Sequence, residues 1–169
     1  MTILGVDPGI ASTGFGVIST GDGEEVTLLD SGVITTEPKT PQDSRLRIIY
    51  ERIFEIITRH KPDAVALEAI FFSRNLKALA EVSEAIGVIT LAAGNHGISV
   101  TKFTPLEVKA SITGFGKAGK LQVHHMVSTI LNSGDSLRGD GVSKRPGASK
   151  GHHTSDALAV AICYRNLHS

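Results

Sequence analysis

The sequence predicts an α/β protein: a five-stranded mixed sheet that opens as an antiparallel meander and is flanked by helices. Three observations carry this. Three short β-rich runs near the start are joined by connections short enough for hairpin turns. From residue 43 the apolar period lengthens to that of a helix. Two further apolar runs, 63–68 and 98–103, then alternate with helical stretches, as strands do between crossovers.

The elements follow in order. Ile3 to Asp7 reads as the first strand, stopped by Pro8. A Gly-containing turn over 8–13 leads into a second strand, Gly14 to Ile18, and Gly21-Asp22-Gly23 marks a hairpin turn before a third, Val26 to Thr35. From Asp43, Leu46, Ile49, Ile53, Ile56 and Ile57 fall on one face of a helix that ends before Pro62. Asp63 to Glu68 is an apolar run closed by a carboxylate, expected as a strand buried on both faces. The next helix, Leu76 to Ala93, is apolar nearly all round over 85–93. Such a helix is buried on more than one side, one against its own sheet and the other against a second subunit.

Ile98 to Phe103 is the fifth strand. Thr104-Pro105-Leu106-Glu107 supplies an N-cap, a first-turn proline and a capping-box glutamate. That helix breaks at Gly114-Phe115-Gly116 and resumes over Lys120 to Leu131. Residues 133–151, rich in Gly and Ser and carrying Arg138, Lys144, Arg145 and Lys150, read as a mobile basic loop. A final helix is expected from Thr154 to Asn166.

With 169 residues and 41% apolar content, the chain suits one domain over 1–169 with a core that needs no disulfide staples. Disorder and a disulfide scaffold are excluded. The single Cys163 fits a reducing compartment, the start resembles no secretory leader, and no apolar run is long enough to span a bilayer. The expected location is the cytoplasm. Net charge is zero, yet residues 1–70 hold six Lys and Arg against eleven Asp and Glu, and residues 71–169 hold eleven against six. Such a division can set a carboxylate site beside a cationic surface.

Asp7 closes the first strand, Glu68 closes the fourth, and Asp156 begins the final helix with His153 three residues before it. Singly these have bland readings: an Asp before Pro-Gly forms turns, an early-helix acid suits the macrodipole, and a lone His is a solvated loop residue. Glu68 is harder to dismiss, because a glutamate after an apolar strand is rarely buried without a partner. Together, carboxylates at strand ends and a helix start converge on the sheet edge where α/β proteins place their sites. Hard divalent cations take such oxygen donors, and two of them clamp the attacking and leaving oxygens of a phosphodiester displacement. Lys109, Lys117 and Lys120 bracket the break at 114–116, and Phe71, Phe72 and Arg74 follow Glu68. Basic residues interleaved with aromatics suit a phosphate backbone and an unstacked base, against solvated lysines and a satellite core cluster of phenylalanines.

Four ordered blocks resemble the RuvC-type Holliday junction resolvases: Leu4 to Gly9 with Thr13 to Val17; Pro62 to Glu68 with Phe71; Val108-Lys109 through Gly114-Phe115-Gly116 to Lys120-Leu121-Gln122-Val123; and Asp156 to Ala161. The resemblance covers nearly the whole chain and departs in 133–151. It implies an RNase H-like fold, a homodimer, and Mg²⁺-dependent cutting of four-way DNA junctions by paired nicks, with two ions per subunit and Mn²⁺ as a substitute. Asp7, Glu68 and Asp156 match the family's acidic metal ligands, with His153 at the fourth position as ligand or acid–base group. Phe71 matches an aromatic that stacks on junction bases, Lys109 and Lys120 match DNA-contacting lysines, and the branch-migration proteins RuvA and RuvB are implied partners. The competing readings are a YqgF-type RNA-processing nuclease, a phosphate-loop ATPase lacking its second lobe, and a non-catalytic junction-binding dimer.

Overall fold

The computed structural model describes residues 1–21, 25–69, 75–132 and 150–168. Its elements are β1 (Thr2–Asp7), β2 (Ser12–Thr20), β3 (Val26–Thr35), α1 (Gln42–His60), β4 (Ala64–Glu68), α2 (Leu76–Asn95), β5 (Val100–Phe103), α3 (Pro105–Thr113), α4 (Lys120–Ile130) and α5 (Lys150–Leu167). The strands form one sheet in the order β3-β2-β1-β4-β5. β1, β2 and β3 pair antiparallel, while β4 joins β1 and β5 joins β4 in parallel. The expected mixed sheet with its opening meander is therefore present.

Side chains along a strand alternate between faces, and the two faces hold two cores. Leu4, Val6, Val17, Val65 and Leu67 meet the isoleucines of α1 and the buried side of α2. Ile3, Ile18 and Ala66 meet α5, with α3 and α4 packed against it. Coverage on both faces explains why Ala64 to Leu67 are all buried. α5 is enclosed between the sheet and α3/α4, and every residue from Ala157 to Cys163 is fully buried.

Local chemistry sets the ends of the elements. Thr104 and Glu107 make the expected capping box: the Glu107 N–H donates to Thr104 Oγ1 (3.2 Å) and the Thr104 N–H to Glu107 Oε2 (2.7 Å). α1 closes on Lys61 in the left-handed region, its N–H donating to the Ile57 carbonyl at 2.8 Å. In β3 the register slips, so that Val17 opposes Asp30 and Ile18 opposes Leu28; the extra residue, Leu29, is left exposed.

Several boundaries differ from the sequence reading. α5 begins at Lys150 rather than Thr154, so His153 lies inside the helix instead of preceding it, and residues 150–151 of the expected loop are helical. Gly151 is a weak helix former, so local propensity places the start of the helix later. In the single chain the second half of α2 buries Ala85, Ile86, Ile89, Ala92 and Ala93 against the core and leaves Gly87 and Leu91 exposed, on the side where a second subunit is expected. The turn around 22–23, Phe71, Phe72, Arg74 and residues 133–149 lie outside the described residues.

α5 rests on a strip of strand that has no side chains. A Cβ at Gly5 would fall 2.1 Å from the Ala157 carbonyl oxygen and 2.7 Å from the Ala161 nitrogen, and one at Gly16 2.4 Å from Leu158 Cδ2. Gly5→Ala must push the backbone of a buried helix off the sheet and is expected to cost about 3 kcal/mol or more. Gly94→Ala, on α2 with open space around it, is expected to be neutral or to stabilise by up to about 1 kcal/mol. Urea unfolding of the two variants checks the contrast.

Candidate active site

The register of the parallel strands builds the centre of the site. Val6 pairs with Leu67, so the next residues, Asp7 and Glu68, stand side by side at the carboxyl ends of β1 and β4. Both follow residues that face α1 and α2, so alternation turns them to the α5 side. On the other side of β1, Asp7 pairs with Gly14 of β2. A Cβ at Gly14 would lie 2.1 Å from the His153 carbonyl oxygen; its absence lets the first turns of α5 sit directly on the strand. His153 and Asp156, three apart on α5, then share a face over the two strand-end carboxylates.

The contacts follow from that seating. His153 Nδ1 is 2.6 Å from Asp7 Oδ2, and both side chains are mostly buried. Lys120 Nζ, at the start of α4, is 3.6 Å from Asp156 Oδ2. Burial, followed by the negative charges of Asp7 and Asp156, pushes Glu68 up to about 7, while Lys120 pulls the other way. The hydrogen bond to Asp7 raises His153 above the ordinary imidazole value, partly opposed by burial.

The loop from Asp7 to β2 is tied down at successive carbonyls. Thr13, fully buried, donates its hydroxyl to the Gly9 carbonyl at 2.6 Å. Thr36 donates to the Ile10 carbonyl at 2.6 Å and accepts from Arg45 Nε at 2.8 Å, so α1 braces the turn that follows Asp7. No local pattern in the sequence assigns Arg45, Thr13, Thr36 or Gly14 these contacts. The visible signal was a strand with glycine at alternate positions, Gly14 and Gly16.

Four of the expected site residues, Asp7, Glu68, His153 and Asp156, are thus brought together, and Lys120 joins them. Lys109 lies on α3, half-buried, and Lys117 is exposed between α3 and α4; among the described residues neither is in an ion pair. Three carboxylates form a hard oxygen donor set of the kind that Mg²⁺ or Mn²⁺ takes, with the softer imidazole of His153 beside them. Burial first, and then the charges of Asp7 and Asp156, disfavour an ionised Glu68, and a divalent cation would offset both, so the residues fit such a group. Here Lys120 and His153 lie against Asp156 and Asp7, and among the described residues no three ligand-type side chains are gathered around one point.

Comparison with known proteins leads to one family. A sequence model of the family described as "Crossover junction endodeoxyribonuclease RuvC" matches residues 3–164. The protein of that description from Pelotomaculum thermopropionicum is 43% identical over 164 residues, covering 97% of this chain and 92% of its own. The Thermus thermophilus RuvC structure superposes with a TM-score of 0.82 at 34% identity, covering 98% of this chain and 94% of its own. The same protein in complex with Holliday junction substrate gives a TM-score of 0.83 at 33% identity, covering 99% and 96%.

The acid cluster makes the metal-free fold sensitive to pH. Glu68 is protonated more readily folded than unfolded, so its contribution to stability is greatest below its ordinary 4.5 and is lost as pH rises through about 7. The contribution of His153 is likewise fully present below 6.5 and lost as pH rises through its raised value. The shift at Glu68 corresponds to about 3 kcal/mol. Glu68→Gln, unfolded by urea in EDTA, is therefore expected to exceed the parent by about 1–3 kcal/mol at pH 8 and to lose most of that advantage at pH 5.

Proposed function

The chain belongs to the crossover junction endodeoxyribonuclease (RuvC) family, and from that premise we propose that it resolves four-way DNA junctions by paired symmetric nicks, one from each subunit of a homodimer. The observation that carries this reading is the juxtaposition of Asp7 and Glu68 on adjacent strands under the His153 and Asp156 face of α5. Its setting would be DNA recombination and repair in the cytoplasm, with RuvA and RuvB as partners. Among the described residues no helix is long and apolar enough to cross a membrane.

Asp7, Glu68, Asp156 and His153 would hold the metal, most simply two Mg²⁺ ions per subunit, with Mn²⁺ as a substitute. When bound, the ions supply the charge that favours water attack at phosphorus and departure of the leaving oxygen. Asp7 holds the His153 ring through Nδ1, which leaves Nε2 as the nitrogen that would either ligate the metal or, in a site held by the three carboxylates, take up and release a proton. Lys120, beside Asp156, supplies positive charge where a scissile phosphate would enter. Lys109 and Lys117 continue that charge along α3 and the 114–119 link, and Phe71, Phe72 and Arg74 would contact the branch point. Cleavage of the P–O3′ bond leaves 5′-phosphate and 3′-hydroxyl ends.

The dimer would form through α2, residues 76–93. Its outer face presents Leu76 at 77% and Leu91 at 56% exposure around the bare Gly87, and nothing among the described residues covers it. Two-fold symmetry in the protein then meets the two-fold symmetry of the junction.

Two experiments test this reading. A labelled synthetic junction, a linear duplex and an RNA–DNA hybrid are incubated with the parent protein and Asp7→Asn, with and without Mg²⁺. Symmetric nicks in the junction alone, requiring both metal and Asp7, are expected; cutting of the hybrid would instead favour RNA processing, and binding without cutting a non-catalytic role. Sedimentation is expected to give about twice 17.8 kDa for the parent and a monomer for Leu91→Glu, which should also lose paired nicking.

A further inference from the structure

We propose that Phe115 is a second aromatic stacking platform, which takes an unstacked nucleobase at the branch point of the junction; this rests on the junction reading above. Phe115 sits in the link between α3 and α4, and its side chain is 60% exposed. The backbone beneath it is closely held. Gly114 closes α3 in the left-handed region at φ 74°, with its N–H on the Ala110 carbonyl at 2.8 Å. The Phe115 N–H donates to Thr113 Oγ1 at 3.2 Å, and the Phe115 carbonyl accepts from the Ala118 N–H at 3.0 Å. Gly116 is seated on Leu106, where a Cβ would fall 3.0 Å from Leu106 Cγ. An apolar ring is thus displayed to solvent on a turn that has little freedom to withdraw it.

The surroundings indicate what covers the ring. Leu106, Phe115 and Leu121, three of the large apolar side chains exposed among the described residues, lie on this one segment, interleaved with Lys109, Lys117 and Lys120. A protein-binding face is usually poor in lysine at its centre, whereas apolar rings among lysines suit a base and its phosphates. The segment is also continuous with the candidate active site. Lys120, five residues beyond Phe115, places its ammonium 3.6 Å from Asp156, so the ring lies within a few nucleotides' reach of the carboxylates. A lysine-lined approach recruits any DNA, while a fixed aromatic rewards only DNA with an accessible base face. Phe115 would therefore act on preference for the junction over duplex rather than on general affinity.

The test uses the full chain in an Asp7→Asn background, so that substrate stays intact, with junctions carrying 2-aminopurine at the branch point and a linear duplex as control. Phe115→Leu keeps apolar bulk without an aromatic face, Phe115→Trp restores one, and Lys117→Ala removes a charge. Phe115→Leu is expected to bind the junction about fivefold or more weakly and duplex unchanged, with the 2-aminopurine quenching lost and the salt dependence intact. Phe115→Trp should recover binding and quenching. Lys117→Ala should instead weaken both substrates and flatten the salt dependence. The proposal is overturned if Phe115→Leu keeps full junction preference and quenching, or if its loss appears equally on duplex. It is also overturned if the variant changes oligomeric state or melting temperature instead of junction binding. Failure of the parent Asp7→Asn protein to prefer the junction at all would count against the junction reading itself, which separates the two.

Discussion

α5 can lie against β1 and β2 only because Gly5, Gly14 and Gly16 present no side chains beneath it. Backbone meets backbone there: a Cβ at Gly5 or Gly14 would fall 2.1 Å from the carbonyl oxygen of Ala157 or His153. That close seating fixes the height of the helix over the sheet, and with it the depth at which His153 and Asp156 meet the strand-end carboxylates. A helix lifted by the thickness of one methyl group would still cover the core, yet His153 Nδ1 would lose its 2.6 Å contact with Asp7. The geometry of the site is thus inherited from a packing constraint at glycines that carry no charge and no side chain.

The same arrangement sets function against stability. Asp7, Glu68 and Asp156 are gathered where burial and mutual repulsion push Glu68 up to about 7, with Lys120 pulling the other way and His153 held against Asp7. Such a cluster is a liability to the bare fold and an asset to a site that binds cations. Rigidity comes from groups outside the cluster: Thr13 and Thr36 cap the carbonyls of the turn after Asp7, and Arg45 braces Thr36 from α1. Asp7 is therefore held by its strand, its turn and its histidine together.

The sheet also divides the surface by task. The α1/α2 side exposes Leu76 and Leu91 around Gly87, the apolar face on which the proposed dimer rests. The α3/α4 side carries Lys109, Lys117, Lys120 and the exposed Phe115, with α5 buried between them and the sheet. The zero net charge conceals an uneven distribution along the chain, because the acidic excess of residues 1–70 cancels the basic excess of residues 71–169.

Periodicity and punctuation determined much of this protein. The meander, the two parallel strands after it, the capping box at Thr104 and Glu107, and the isoleucine face of α1 are local patterns, legible because hydrogen bonding and side-chain alternation repeat at fixed spacing. Asp7 and Glu68 could be picked out because each closes a strand, and strand ends are where a sheet exposes its functional groups. Proximity could not be read that way. That Asp7 stands beside Glu68 depends on the register of Val6 with Leu67, and that His153 sits directly on β2 depends on Gly14, more than a hundred residues away. The relay from Arg45 through Thr36 to Ile10, the exposure of Phe115 and the raised pKa of Glu68 are likewise products of packing. They arise from distances between segments remote in sequence, which no local pattern of residues records.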